Sequence, residues 1–180
     1  MGDNVSIDRK KVLSLYFEAN AFRNGSNSKI FQIHSKEYCN KAQNEIPQPY
    51  CIVLVSLACE LYLKLLICLE QIQKDNNVTF VSISKKHKLD ELYENLSNKT
   101  KALILNEIGY TSCDMENKLN EFSDDFIKWR YIYEENNSKL EYNITFLQKL
   151  MNVLFEISKK NVEKIEFGAN NMSMILDCEE

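Results

Sequence analysis

The sequence predicts an all-α protein built as an up-and-down helical bundle, and three observations predict it. Its 180 residues include only 4 Gly and 2 Pro, too few for the frequent tight turns of an all-β sandwich. The segment from Tyr50 to Ile72 is apolar on almost every helical face, as the central helix of a bundle is. Elsewhere the apolar residues recur at steps of three and four, the period of an amphipathic helix.

The elements follow in order. The first helix is expected from about Ser6 to Phe22, where Val12, Leu15, Tyr16, Ala19 and Phe22 form a stripe. Ser6 or Asp8 offers its N-cap, and the turn chemistry of Asn24-Gly25-Ser26-Asn27-Ser28 should end it. Lys29 to Gln43 reads as a second helix, and Pro47 and Pro49 suit the approach to the next. Tyr50–Ile72 then supplies the most buried helix. Its length also suits a membrane span, but Glu60 and Lys64 lie near its middle. In hydrocarbon each would cost on the order of several kcal/mol, whereas at i, i+4 the two share a face and can pair. The bundle interior is therefore expected, with no membrane association.

Val78 to Ser84 reads as a short connection with some strand character. His87 to Leu96 forms a short helix through Leu89, Leu92, Tyr93 and Leu96. Asn98 to Ile108 forms another, with Gly109 as its natural C′ residue. Asp114 is the expected cap of a helix from Met115 to about Glu135, whose seam is Leu119, Phe122, Phe126, Trp129 and Tyr133. Leu140 to Phe167 gives the last long helix, with Phe146, Leu147, Leu150, Val153, Leu154 and Ile157 facing inward. Residues 1–167 thus form a single helical domain, and 168–180 a weakly patterned tail.

Charge and cysteine usage narrow the function classes. The formal net charge of −4 argues against a protein that coats nucleic acid through bulk charge, while leaving room for a local basic patch. The start, Met1-Gly2-Asp3-Asn4-Val5-Ser6, has no apolar core of a secretory signal. Cys39, Cys51, Cys59, Cys68, Cys113 and Cys178 form no C-x-x-C pair. Cys51, Cys59 and Cys68 sit in the most apolar segment, where a free thiol acts as a small hydrophobe. Reduced thiols and a cytoplasmic location follow as expectations. With only His34 and His87, and no zinc or phosphate-loop motif, no metal site and no cofactor are expected.

Three constellations combine polar with apolar groups. Glu60-Leu61-Tyr62-Leu63-Lys64 offers a carboxylate and an ammonium that either line a cleft or form a structural ion pair inside the bundle. Lys85-Lys86-His87-Lys88 is a dense basic cluster, and histidine is the side chain that titrates near neutrality. It serves either as a phosphate-contacting patch or as a solvated helix start. Phe126-Ile127-Lys128-Trp129-Arg130-Tyr131-Ile132-Tyr133-Glu134 places an arginine among aromatics, able to stack on a base or to pair with Glu134 one turn on.

Together the segments Ala58-Cys59-Glu60-Leu61-Tyr62-Leu63-Lys64, His87-Lys88-Leu89-Asp90-Glu91-Leu92 and Arg130-Tyr131-Ile132-Tyr133-Glu134 resemble the HEPN family (higher eukaryote and prokaryote nucleotide-binding). There the corresponding patterns are A-x-E-L-x-L-K, H-x-L-x-x-L and R-Y-x-Y-E. The resemblance covers a core of about 50–155. It implies a helical bundle that commonly homodimerises, in a family of metal-independent ribonucleases of toxin–antitoxin and phage-defence systems and of non-catalytic partners of nucleotidyltransferases. Nuclease members carry an Arg and a following His with four to six residues between them. Here Glu135, Asn136 and Asn137 stand where that His would follow Arg130. The expected protein is therefore a non-catalytic or weakly catalytic component that binds RNA or a partner. The alternatives are an atypical endoribonuclease built from Arg130, His87 and Glu134, and a partner of a nucleotidyltransferase. Lys85, Lys86, Lys88 and Tyr131 are the candidate RNA- or partner-binding residues, and Glu60 with Lys64 the candidate structural pair.

The i, i+4 spacing of Arg130 and Glu134 favours a guanidinium occupied within the fold. Arg130→Lys is then expected to lower the melting temperature and leave RNA affinity per folded molecule unchanged, since a point charge cannot replace a bidentate fork. Unchanged melting with lost affinity would overturn this.

Overall fold

The computed structural model describes residues 4–28, 49–122 and 144–165. Strand β1 (Asn4–Asp8) leads through a 3-10 turn (Arg9–Lys11) into α1 (Val12–Asn27). Then come α2 (Pro49–Lys74), strand β2 (Phe80–Ser84), α3 (Leu89–Glu94), α4 (Asn98–Ile108), α5 (Ser112–Phe122) and α6 (Ile144–Val162). The described chain is mostly helical, as the sequence predicts, with one small sheet added.

Helix α2 is the axis of the fold. Ile52, Val55, Tyr62, Leu63, Leu65, Leu66, Leu69 and Ile72 cover several of its faces and all are buried. The helix is long and apolar enough to cross a membrane, yet 72% of its most apolar stretch is buried inside the protein. Helices α1, α3 and α6 and strand β2 pack around it. Helix α1 runs antiparallel to α2: a methyl group on Gly25 would touch Leu54 Cδ1 at 3.7 Å, and Asn20 Oδ1 accepts the Tyr62 hydroxyl at 2.6 Å. Helix α6 runs parallel to α2, with Cys59 Sγ 3.7 Å from the Leu147 carbonyl and Gln73 Nε2 donating to Asn161 Oδ1 at 3.2 Å. Phe155 of α6 meets both Tyr16 and Tyr62, closing the three-helix contact.

Several local expectations need correction. The chain before Arg9 is not helical: β1 pairs antiparallel with β2, Asn4 opposite Ser84 and Asp8 opposite Phe80. Alternation puts Val5 and Ile7 on one face with Val81 and Ile83. Asp8 does cap, but it caps the 3-10 turn, accepting the Lys10 N–H at 2.8 Å. Gly25 and Ser26 do not end α1. Ser26 is buried and its hydroxyl donates to the Arg23 carbonyl at 2.7 Å, so tertiary packing carries the helix past residues that favour a turn. Helix α5 starts at Ser112 rather than Met115. Thr111 Oγ1 accepts the Asp114 N–H at 3.1 Å and donates to Asp114 Oδ2 at 2.6 Å, a capping box with Thr111 as the cap. Gly109 takes the left-handed conformation (φ 73°) expected of a C′ residue. Lys29 to Gln43, Phe126, Trp129 and Tyr133 lie outside the described residues.

Burial raises the Cys59 thiol well above its ordinary value and pushes Cys68 up to about 12, while Cys113 is exposed. The thiolate is the reactive form. In the native protein Cys113 is therefore expected to react readily with a thiol reagent at pH 8, with Cys59 and Cys68 reacting only at the rate of unfolding. Equal labelling of all three, read by mass spectrometry of peptides, would contradict the burial of α2. The expectation for Cys51 concerns a side chain outside the described residues.

Candidate functional site

A helix buried on most of its faces has to satisfy the polar side chains it carries there, because an unpaired buried charge is expensive. Helix α2 carries Glu60 and Lys64 in that setting. Lys64 Nζ donates to Glu60 Oε1 at 2.7 Å, with the two side chains only 8% and 7% exposed. The same oxygen accepts from His87 Nδ1 at 2.9 Å. The imidazole itself is 62% exposed. Two of the three sequence constellations thus meet in one unit, in which a neutralised carboxylate inside the bundle fixes a ring on its surface.

His87 does not stand in the first helical turn as expected. It lies in the extended segment before α3, where Lys88 has β-region angles and occupies the N-cap position. That extension lets the ring reach back to α2. The segment is held from its other side as well: the Lys86 N–H donates to Ser84 Oγ at 3.1 Å. Lys86 Nζ pairs with Glu91 at 2.7 Å, and Lys85 is exposed. A polar cleft of about 520 Å³ opens nearby, lined by Lys74, Lys86, Asn4, Gln71, Ser82 and Asn95 among others. Its lysines, amides and hydroxyls suit a phosphate, and its wall also holds the carboxylate of Glu70, which accepts from Ser97 and Thr100. No family model, curated protein or solved structure matches the chain.

Arg130, Tyr131 and Glu134 lie outside the described residues, so the third constellation is not placed relative to His87. Among the described residues, no group of three or more His, Cys, Asp or Glu side chains could hold a metal ion. Two groups passed unnoticed in the sequence. Glu70, ten residues past Glu60 on α2, accepts from the Ser97 N–H at 3.1 Å and the Ser97 hydroxyl at 2.7 Å, fixing the start of α4. Arg23 Cζ lies over the Phe155 ring, 3.9 Å from its centroid, and Arg23 Nε donates to Asn152 Oδ1 at 3.4 Å. Its partners are 129 and 132 residues away, so no local spacing points to them.

The burial of the pair sets a clear mutational order. Glu60→Gln leaves the Lys64 ammonium buried without its counter-charge and is expected to cost about 3–5 kcal/mol of stability. Glu60→Leu combined with Lys64→Met should recover most of that loss. His87→Ala should cost less than about 1 kcal/mol, since its exposed ring gives up little burial. Urea unfolding of the four proteins checks the order, and equal losses for Glu60→Gln and His87→Ala would contradict it.

Proposed function

We propose that the chain is a HEPN-like helical protein that binds RNA through the surface around His87. In this reading it is a non-catalytic or weakly catalytic component of a toxin–antitoxin or phage-defence system. The observation that carries it is the bond between His87 and Glu60, because it unites two of the three segments on which the HEPN resemblance rests. A carboxylate that accepts from Nδ1 leaves Nε2 as the ring's outward-acting nitrogen. Held that way, the ring can meet a 2′-hydroxyl or a phosphate oxygen, and Lys85 and Lys86, just before it in the chain, add cationic charge. Homodimerisation and a cytoplasmic location belong to the same proposal.

A second reading, an atypical metal-independent endoribonuclease, draws on the same oriented imidazole. General acid–base work needs a ring whose nitrogens have fixed roles, and Glu60 supplies that fixing. Arg130 and Glu134 would have to complete such a site.

Labelled single-stranded RNA, titrated in EDTA and followed by fluorescence anisotropy and by gel, separates the two. Binding that weakens steeply with salt, and about tenfold in His87→Ala and in Lys85→Ala with Lys86→Ala, is expected, with the RNA left intact. Cleavage lost in His87→Ala would establish the second reading. No binding even at low salt would refute both and leave recognition of a protein, such as a nucleotidyltransferase, as the function of this surface.

A further inference from the structure

The small sheet has two edges, and α2 closes one of them. Both main-chain groups of Ser82 engage the Gln71 side chain, which accepts the Ser82 N–H at 2.8 Å and donates to its carbonyl at 2.7 Å. They therefore point away from β1. Ser6 stands opposite Ser82, and along an antiparallel pair the residues that bond each other alternate with residues that do not. The N–H and C=O of Ser6 thus point away from β2. The Arg9 N–H donates to the Thr79 carbonyl at 2.8 Å, one step beyond the paired strands, which gives the same phase. Val5 and Ile7 turn their main chain to β2, while Asn4, Ser6 and Asp8 present theirs to the outer edge of β1. No strand among the described residues pairs with that edge.

Native proteins commonly blunt a free edge with lysine, proline or a bulge. Between Asn4 and Asp8 there is no lysine and no proline, and the register runs without a bulge. Asn4, Val5 and Ser6 are exposed, and Val5 keeps 42% of its surface in solvent. The strand is also complementary to itself. Asn4-Val5-Ser6-Ile7-Asp8 sets its two β-branched apolar residues symmetrically about Ser6. Laid antiparallel on a second copy with Ser6 opposite Ser6, each Val5 falls opposite an Ile7 and each Asn4 opposite an Asp8. Apolar then meets apolar, and each carboxylate meets an amide rather than another carboxylate. A slip of two residues in either direction leaves Val5 or Ile7 outside the overlap.

We propose that β1 pairs with β1 of a second copy of this chain, two-fold about Ser6, joining the two small sheets into one four-stranded antiparallel sheet in the order β2–β1–β1–β2. Ser6 of each copy donates its N–H to the Ser6 carbonyl of the other, and the Asp8 N–H donates to the Asn4 carbonyl across the same seam. Val5 and Ile7 of the two copies cover each other on one face. The contact is isologous and closes at two copies, and because α2 blocks the far edge of β2 the sheet stops at four strands. A strand this short falls at the low end of interface sizes, so the dimer is weak and depends on concentration. This inference gives a surface to the homodimer of the proposed function and rests on that part of the reading alone, since RNA binding around His87 does not enter it.

Sedimentation velocity of the full chain over a concentration series tests it, with two variants. Ser6→Pro removes an N–H that makes no bond to β2, a position where an edge strand tolerates proline. Its melting temperature should stay near that of the wild type, while dimerisation should need at least about tenfold more protein. Ser6→Cys should give a disulfide-linked dimer on mild oxidation, because residues directly opposed and bonded in such a pair stand about 5.5 Å apart at Cα. The wild type, whose Cys113 is exposed, sets the background for that cross-link. A dimer undiminished in Ser6→Pro, or no cross-link of Ser6→Cys above the background, would overturn the inference and leave the homodimer to another surface. A monomer at every concentration would overturn both the inference and the homodimer, and leave the edge to a strand of another protein.

Discussion

The constraint on which the rest of the structure depends is the burial of α2. A helix apolar on nearly every face has to be wrapped, and each polar group it carries has to find a partner inside the wrapping. Those partners place the neighbouring chain. Tyr62 bonds Asn20 and fixes α1. Gln71 clamps Ser82 from both ends of its amide, donating to the Ser82 carbonyl at 2.7 Å and accepting its N–H at 2.8 Å, so β2 lies along the helix. Glu70 takes the start of α4 through Ser97, and Glu60 takes the extended segment before α3 through His87. Between residues 82 and 97, α2 thus sets the path of the chain at three points.

This arrangement gives a surface feature the precision of the core. An exposed histidine on a connecting segment would ordinarily sample many orientations, but His87 is bonded to a carboxylate that Lys64 and the bundle hold still. Lys86, one residue earlier, lines the polar cleft beside β2.

Sequence patterning exposed the helices whose signals are local. Tyr50 to Ile72 was legible because apolarity on all faces over so long a stretch has few explanations, and its observed span, Pro49–Lys74, exceeds that by only a residue or two at each end. Asn98 to Ile108 was legible because Gly109 marks its end. What sequence could not reveal depends on partners far along the chain. Strand β1 is five residues long and its pairing partner begins at Phe80, so Ser6 and Ile7 read as the start of the helix that follows. Gly25 and Ser26 looked like a break because the contacts that keep α1 helical there come from Leu54 and Met151. The Glu60–Lys64 pair was visible as an i, i+4 spacing. The bond from Glu60 to His87, 27 residues on, was not, and without it the first two constellations were two weak signals rather than one site.

The central claim is that Glu60 orients the His87 ring, and nitrogen-15 NMR of the imidazole side chains tests it most directly. At a pH where the ring is neutral, the account predicts that His87 carries its proton on Nδ1, donated to Glu60, with Nε2 free of hydrogen. Free histidine in water prefers the opposite tautomer, so the two are distinguished by their shifts and couplings. A His87 ring protonated on Nε2, with spectra unchanged by Glu60→Gln, would show that the carboxylate does not hold it.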